Sequence, residues 1–122
     1  MDSYRTAELS IALLETDAPA RIFLSWEGRS SEREPRRTLG VYLRGVVDHA
    51  AARGAAIEMH FQRIAYINSA TIGCLGELIR SATAAGVPLT LRYDASTTWQ
   101  RISFEALGVF AKGDGKLVLE PV

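Results

Sequence analysis

The chain has 122 residues, and 14 basic side chains balance 14 acidic ones, so its formal net charge at neutral pH is zero. That length is near the usual size of one domain and can bury a single core. The balanced charge gives no bulk attraction to nucleic acid or to an anionic membrane. The first residues, Met1-Asp2-Ser3-Tyr4-Arg5, lack the apolar segment of a signal peptide, and no apolar run approaches the length of a membrane span. A soluble cytoplasmic protein is the expectation. The lone Cys74 has no internal disulfide partner and reads as a small core residue on the apolar side of a helix.

In chain order, Leu9, Ile11 and Leu13 alternate with smaller or more polar residues, as a half-buried strand does. Thr16-Asp17-Ala18-Pro19 interrupts the run, and Ile22, Leu24 and Trp26 resume it, which predicts a hairpin. Gly28 to Arg37 reads as a polar, charged loop, with Pro35 near a helix start, where its missing N–H costs little. Leu39, Tyr42, Leu43, Val46 and Ala50 form the buried stripe of a first helix that Gly54 ends. Ala55 to Phe61 is a strand. A second helix follows from about Thr71 to Ala85 and stops at Gly86 and Pro88. Leu89 to Arg92 is a strand, Thr98 to Leu107 a third helix, and Leu117 to Leu119 a last strand. Two strands followed by strand–helix alternation predict an α/β fold: a mixed sheet, a hairpin at its start, later strands mostly parallel, and about three main helices. The whole chain, 1–122, is expected to be one domain.

The most informative segment is Ile64 to Leu75. An apolar run stops at Asn68-Ser69, and helical periodicity begins, with Ile72, Leu75, Leu78, Ile79 and Ala82 on one stripe. A hydroxyl at that entrance can cap the helix, whose first N–H groups lack intrahelical partners and whose dipole end is positive. A phosphate on Ser69 would bring about two negative charges to a terminus that favours them. Ser69 is therefore the candidate switch and is expected at a strand-to-helix junction with an accessible hydroxyl; Thr71 is the second choice. Ser96, Thr97 and Thr98 lie at a similar junction and read as helix caps.

The run Tyr66-Ile67-Asn68-Ser69-Ala70-Thr71-Ile72-Gly73 resembles the motif of STAS domains of the anti-sigma factor antagonist type. That motif runs aromatic, apolar, Asp, Ser, Ser or Thr, Gly, Leu, Gly. Tyr66, Ile67, Ser69 and Gly73 match it, and Ser69 falls on the family's phosphorylated serine. Asn68 replaces the Asp, Ala70 the second hydroxyl residue and Thr71 the first Gly. Ser31 stands where the family's Gly-x-x-Asp segment has its acid. Ser96 to Phe110 is similar to the family's last helix. The resemblance implies a noncatalytic regulator whose partner surface comprises Asn68, Ser69, Ala70, Thr71, Gly73, Gly76 and Arg80. The implied partners are a serine kinase that is also an anti-sigma factor, with an ATPase-type fold, and a metal-dependent protein phosphatase that reverses the modification. Neither nucleic acid nor a membrane is implied.

Read from the residues alone, Gly73 and Gly76 each weaken a helix by up to about 1 kcal/mol relative to Ala. With Arg80 they form a stripe turned away from Ile72, Leu75 and Ile79. Close packing against the protein's own chain and a partner groove account for them equally well. Arg29, Arg33, Arg36 and Arg37 read as a solvated charge run, with contact to an acidic partner or a phosphate as the other reading.

Catalysis finds little support in the sequence. Ser69 lies outside a Gly-x-Ser-x-Gly elbow, because Ile67 and Thr71 flank it. His49 and His60 fall on other elements, Glu58 and Glu77 share no spacing, and no Gly-rich phosphate loop follows a strand. No cofactor or metal is expected. Two other readings are a STAS-type binding or structural subunit that is never phosphorylated, and a small Ser-dependent hydrolase.

Overall fold

The computed structural model describes residues 1–111 and 113–122. Strands β1 (Tyr4–Arg5), β2 (Leu9–Asp17) and β3 (Ala20–Ser30) come first, then a 3-10 turn at Pro35–Arg37 and helix α1 (Leu39–Arg53). Strands β4 (Ala56–His60) and β5 (Ile64–Ile67) lead into α2 (Ser69–Ala85). After α2 come β6 (Leu89–Tyr93), α3 (Thr98–Leu107), a 3-10 turn at Gly108–Phe110, and β7 (Leu117–Pro121). The sheet is mixed, in the order β1-β2-β3-β4-β6-β7, with β5 pairing the far end of β3. The β1–β2 and β2–β3 pairs are antiparallel, and every later pair is parallel. The hairpin, the strand–helix alternation and the three helices agree with the sequence reading.

Alternation decides which face of the sheet is covered. Ile22, Leu24 and Trp26 of β3, Ile57 and Met59 of β4, and Leu89, Leu91 and Tyr93 of β6 are all buried, while the residues between them are not. They share one cluster with Leu43, Val46 and Ala50 of α1, Leu75, Ile79 and Ala82 of α2, and Phe104 and Leu107 of α3. The three helices thus cover one face. Each large aliphatic side chain buried there contributes about 1.5–3 kcal/mol of transfer free energy. Aromatic rings run through this core: Phe61 lies 4.8 Å from Trp26 and 4.7 Å from Phe104, and Phe104 stacks on Tyr93 at 5.3 Å. Helix α2 ends at Gly86, whose φ of +70° suits a residue without a Cβ, and the Val87 N–H donates to the Ala82 carbonyl.

The main differences from the sequence reading are two boundaries and two short strands. Strand β3 continues to Ser30, although a loop from Gly28 is predicted. Gly28 has φ +95°, and a Cβ there would lie 2.0 Å from the Glu8 carbonyl oxygen, so only glycine admits that contact. From Gly28 onward β3 partners β5 instead of β4, and within that pairing the register shifts between Gly28 and Arg29. Strand β5 itself is not distinguished in the sequence reading, and neither is the two-residue β1. Finally, α2 begins at Ser69, two residues before the predicted Thr71, because Asn68 closes its first turn.

Candidate functional site at a strand-to-helix junction

Strand β5 carries the chain to the end of β3, and α2 starts one residue later. At that junction the Asn68 backbone N–H donates to the Ser30 carbonyl at 3.0 Å, and the Asn68 carbonyl accepts from the Ile72 N–H at 3.1 Å. Its side-chain Oδ1 accepts from the Thr71 N–H at 2.9 Å, and Nδ2 donates to the Glu32 carbonyl at 2.8 Å. Asn68 is therefore the capping residue, not Ser69. The amide can donate and accept at once, so it ties the helix start to the loop after β3. A carboxylate at this position could only accept.

Ser69 is the first helical residue and is exposed. With Thr71 N–H taken by the cap, the Ser69 and Ala70 N–H groups are left in the first turn without intrahelical acceptors. Thr71 sits differently. It is fully buried, and its Oγ1 lies 2.6 Å from Ser30 Oγ, itself buried at the end of β3. The two hydroxyls considered as alternatives thus belong to different environments, one facing solvent and one enclosed in a polar pair.

The Gly73–Gly76–Arg80 stripe divides as well. Gly73 is exposed, with nothing within 4 Å of where a Cβ would stand. Gly76 is buried, and a Cβ there would meet the Phe110 ring at 3.6 Å. The Arg80 guanidinium lies over the same ring, 5.3 Å from its centroid. Gly76 and Arg80 thus both face Phe110 of the protein's own 3-10 turn, whereas Gly73 is exposed one turn after Ser69.

Around the junction, Arg29 lies over the Tyr66 ring at 4.9 Å, Arg37 Nε is 3.4 Å from Glu34, and Arg36 pairs with Glu77 of α2. The expected caps at Ser96 to Thr98 are arranged otherwise. Asp94 accepts from the Ser96 N–H (2.9 Å), the Ser96 hydroxyl (2.6 Å) and the Thr97 hydroxyl (2.6 Å). Thr97 makes no side-chain cap bond to α3. These bonds, the Ser96 hydroxyl foremost, hold the Asp94 carboxyl below its usual value of 3.8.

One residue absent from the sequence reading organises the approach to the site. Buried Gln100 of α3 donates from Nε2 to the Phe61 carbonyl at 2.9 Å and the Ile64 carbonyl at 3.3 Å, and its Oε1 accepts from the Asp94 N–H at 2.9 Å. It fixes the turn between β4 and β5. A polar residue near the apolar positions of an amphipathic helix is the only mark it leaves in sequence.

Neither histidine serves Ser69. His49 Nε2 contacts Glu15 at 2.7 Å, and His60 Nε2 contacts Glu58 at 2.5 Å. Cys74 is buried, and burial first, then the Glu77 charge, raises its thiol pKa above the usual value. Among the described residues, no three His, Cys, Asp or Glu side chains gather to hold a metal ion, and no helix is long and apolar enough to cross a membrane.

This arrangement of strands and helices is the STAS, or SpoIIAA-like, fold. SiaC of Pseudomonas aeruginosa superposes with a TM-score of 0.64 at 18% identity, over 100% of this chain and 98% of that one. SiaC is also known in complex with the diguanylate cyclase SiaD, which it activates. An anti-sigma factor antagonist from Mycobacterium paratuberculosis superposes with a TM-score of 0.65 at 12% identity, over 93% and 86% of the chains. The phosphorylated form of the Bacillus cell fate determinant SpoIIAA gives 0.55 at 17% identity, over 89% of each. No protein-family model matches the sequence, and a search of the curated proteins finds no match.

Proposed function

We propose that this protein is a noncatalytic regulator that docks a partner serine kinase through the Asn68–Ser69 junction and the exposed face of α2. Phosphorylation of Ser69 switches the contact, and a protein phosphatase restores it. The partner kinase carries an ATPase-type fold and acts as an anti-sigma factor, which places the protein in the control of transcription in the cytoplasm. The observation that carries this reading is the position of Ser69. It is exposed at the first residue of a 17-residue helix whose cap is supplied by a different side chain, Asn68. Its hydroxyl is thus not needed to close the helix, and the positive helix end with two unengaged N–H groups suits a phosphate. Enclosure of Thr71 with Ser30 favours Ser69 as the acceptor over Thr71.

A second reading has its own support. The double hydrogen bond of Asn68 accounts for the amide in structural terms. A binding subunit that is never phosphorylated needs nothing further at this junction. The two readings separate in one experiment. The protein is incubated with ATP and any ATPase-fold kinase that a neighbouring gene encodes, and intact mass and peptide spectra are recorded. One phosphate on Ser69, absent from Ser69→Ala, supports the switch. A kinase that is active and binds the protein but adds no phosphate leaves the unphosphorylated subunit as the function. The hydrolase reading has no base bonded to Ser69 among the described residues, and turnover of ester substrates that disappears in Ser69→Ala would revive it.

A further inference from the structure

Helices α1 and α2, with the 3-10 turn at Pro35–Arg37, line a surface groove of about 730 Å³. Its floor is made where the helices approach closely: a Cβ on Gly40 would stand 4.0 Å from Cys74 Sγ, and Leu43 and Leu78 lie beneath. Val41, 53% exposed, forms an apolar lip. Four arginines, Arg36, Arg37, Arg44 and Arg80, line the groove against one acid, Glu77. Glu77 is taken by Arg36, and Arg37 is paired with Glu34 outside the lining. Among the described residues, Arg44 and Arg80 have no carboxylate partner.

We propose that this groove seats an acidic amphipathic helix of the partner, its carboxylates on Arg44 and Arg80 and its apolar side on Val41. The inference rests on the partner-binding reading above and names the chemistry of the partner's contact. Two guanidinium groups with no carboxylate, flanking a short aliphatic floor, match a helix that carries carboxylates beside an apolar stripe. Nucleic acid fits less well. No aromatic side chain lines the groove for base stacking, and Glu77 lies within it. The groove also gives the switch a cause. Ser69, Gly73 and Glu77 follow one another at helical spacing of four, so a phosphate on Ser69 lies on the stripe that leads into the groove. An acidic occupant then meets like charge at that end.

The test uses the full chain and a synthetic 18-residue helical peptide with glutamates on one face and leucines on the other. Binding is followed by fluorescence anisotropy and by backbone amide shifts at low and moderate salt. The expected result is binding that weakens with salt, shifts at Gly40, Val41 and Cys74, and a loss of about tenfold or more in Arg44→Glu/Arg80→Glu. Arg101→Glu, at an exposed position of α3, serves as the control and should bind normally. Equal binding of the peptide with every glutamate replaced by glutamine overturns the proposal, as does absence of binding or tighter binding of a single-stranded oligonucleotide at the same residues. The kinase assay fails independently. If Ser69 is never modified but the peptide seats as described, the groove stands and the switch falls. If Ser69 is modified and Arg44→Glu/Arg80→Glu binds the kinase normally, the groove falls alone.

Discussion

At Asn68 one side-chain amide holds the Thr71 N–H with its oxygen and the Glu32 carbonyl with its nitrogen, so the helix start and the loop after β3 move together. Asn68→Ala removes both bonds and should lower stability by about 1–2 kcal/mol in urea unfolding. Asn68→Asp keeps the cap and loses the donor. The lost bond is worth about 1 kcal/mol, and a carboxylate at the positive helix end returns about 0.3–1, so near-neutral stability is expected. An Asp variant as unstable as the Ala variant would contradict this account of the amide. Thr71 and Ser30 call for a different test because both hydroxyls are buried. Thr71→Val strands the Ser30 hydroxyl and should cost about 1–3 kcal/mol, and adding Ser30→Ala should recover part of it. Losses that simply add would show that the pair is not coupled.

At the scale of elements, Gln100 and Asp94 connect α3 to the turn that feeds the site. Gln100→Leu leaves the Phe61 and Ile64 carbonyls and the Asp94 N–H without their side-chain partner. A loss of about 2–4 kcal/mol is expected, with faster amide exchange in β5, and unchanged exchange there would refute the positioning role. Asp94 adds a pH dependence. Its carboxyl is held below its ordinary value, so its contribution to stability is complete above that value and disappears as pH falls through the lower folded one. Unfolding midpoints from pH 5 downward should fall less steeply in Asp94→Asn than in the parent.

The hairpin, the helices and the junction were legible because each carries a repeating apolar pattern or a turn signal. Strand β5 carries neither: Ile64 and Ile67 are buried while Ala65 and Tyr66 are exposed, so it lacks period-two alternation. It pairs with the end of β3 from Gly28 onward, a non-local contact that its own residues do not announce. At the site, Ser69 was legible from its place between two patterns. The Ser30–Thr71 pair and the Asn68–Glu32 bond join residues 41 and 36 positions apart, and no local spacing marks them. The caps expected at Ser69 and at Ser96 to Thr98 are replaced for a local reason. Asn68, the residue before Ser69, takes the capping role, and Asp94 takes the Ser96 and Thr97 hydroxyls two and three positions on.

On the scale of the molecule, Asn68 ties the start of α2 to the loop after β3, and the Arg-lined groove follows further along α2. Ser69 contributes little to the core, so its modification should leave the fold intact and act on the partner. The most direct measurement compares the affinity of the cognate kinase for the unmodified protein and for the protein carrying phosphoserine at 69, with circular dichroism and thermal midpoints recorded for both. Two added charges at a docking surface that cost about 2–3 kcal/mol weaken binding roughly thirty- to a hundredfold or more, with the fold unchanged. Equal affinity of the two forms for a kinase that binds the unmodified protein would contradict the account.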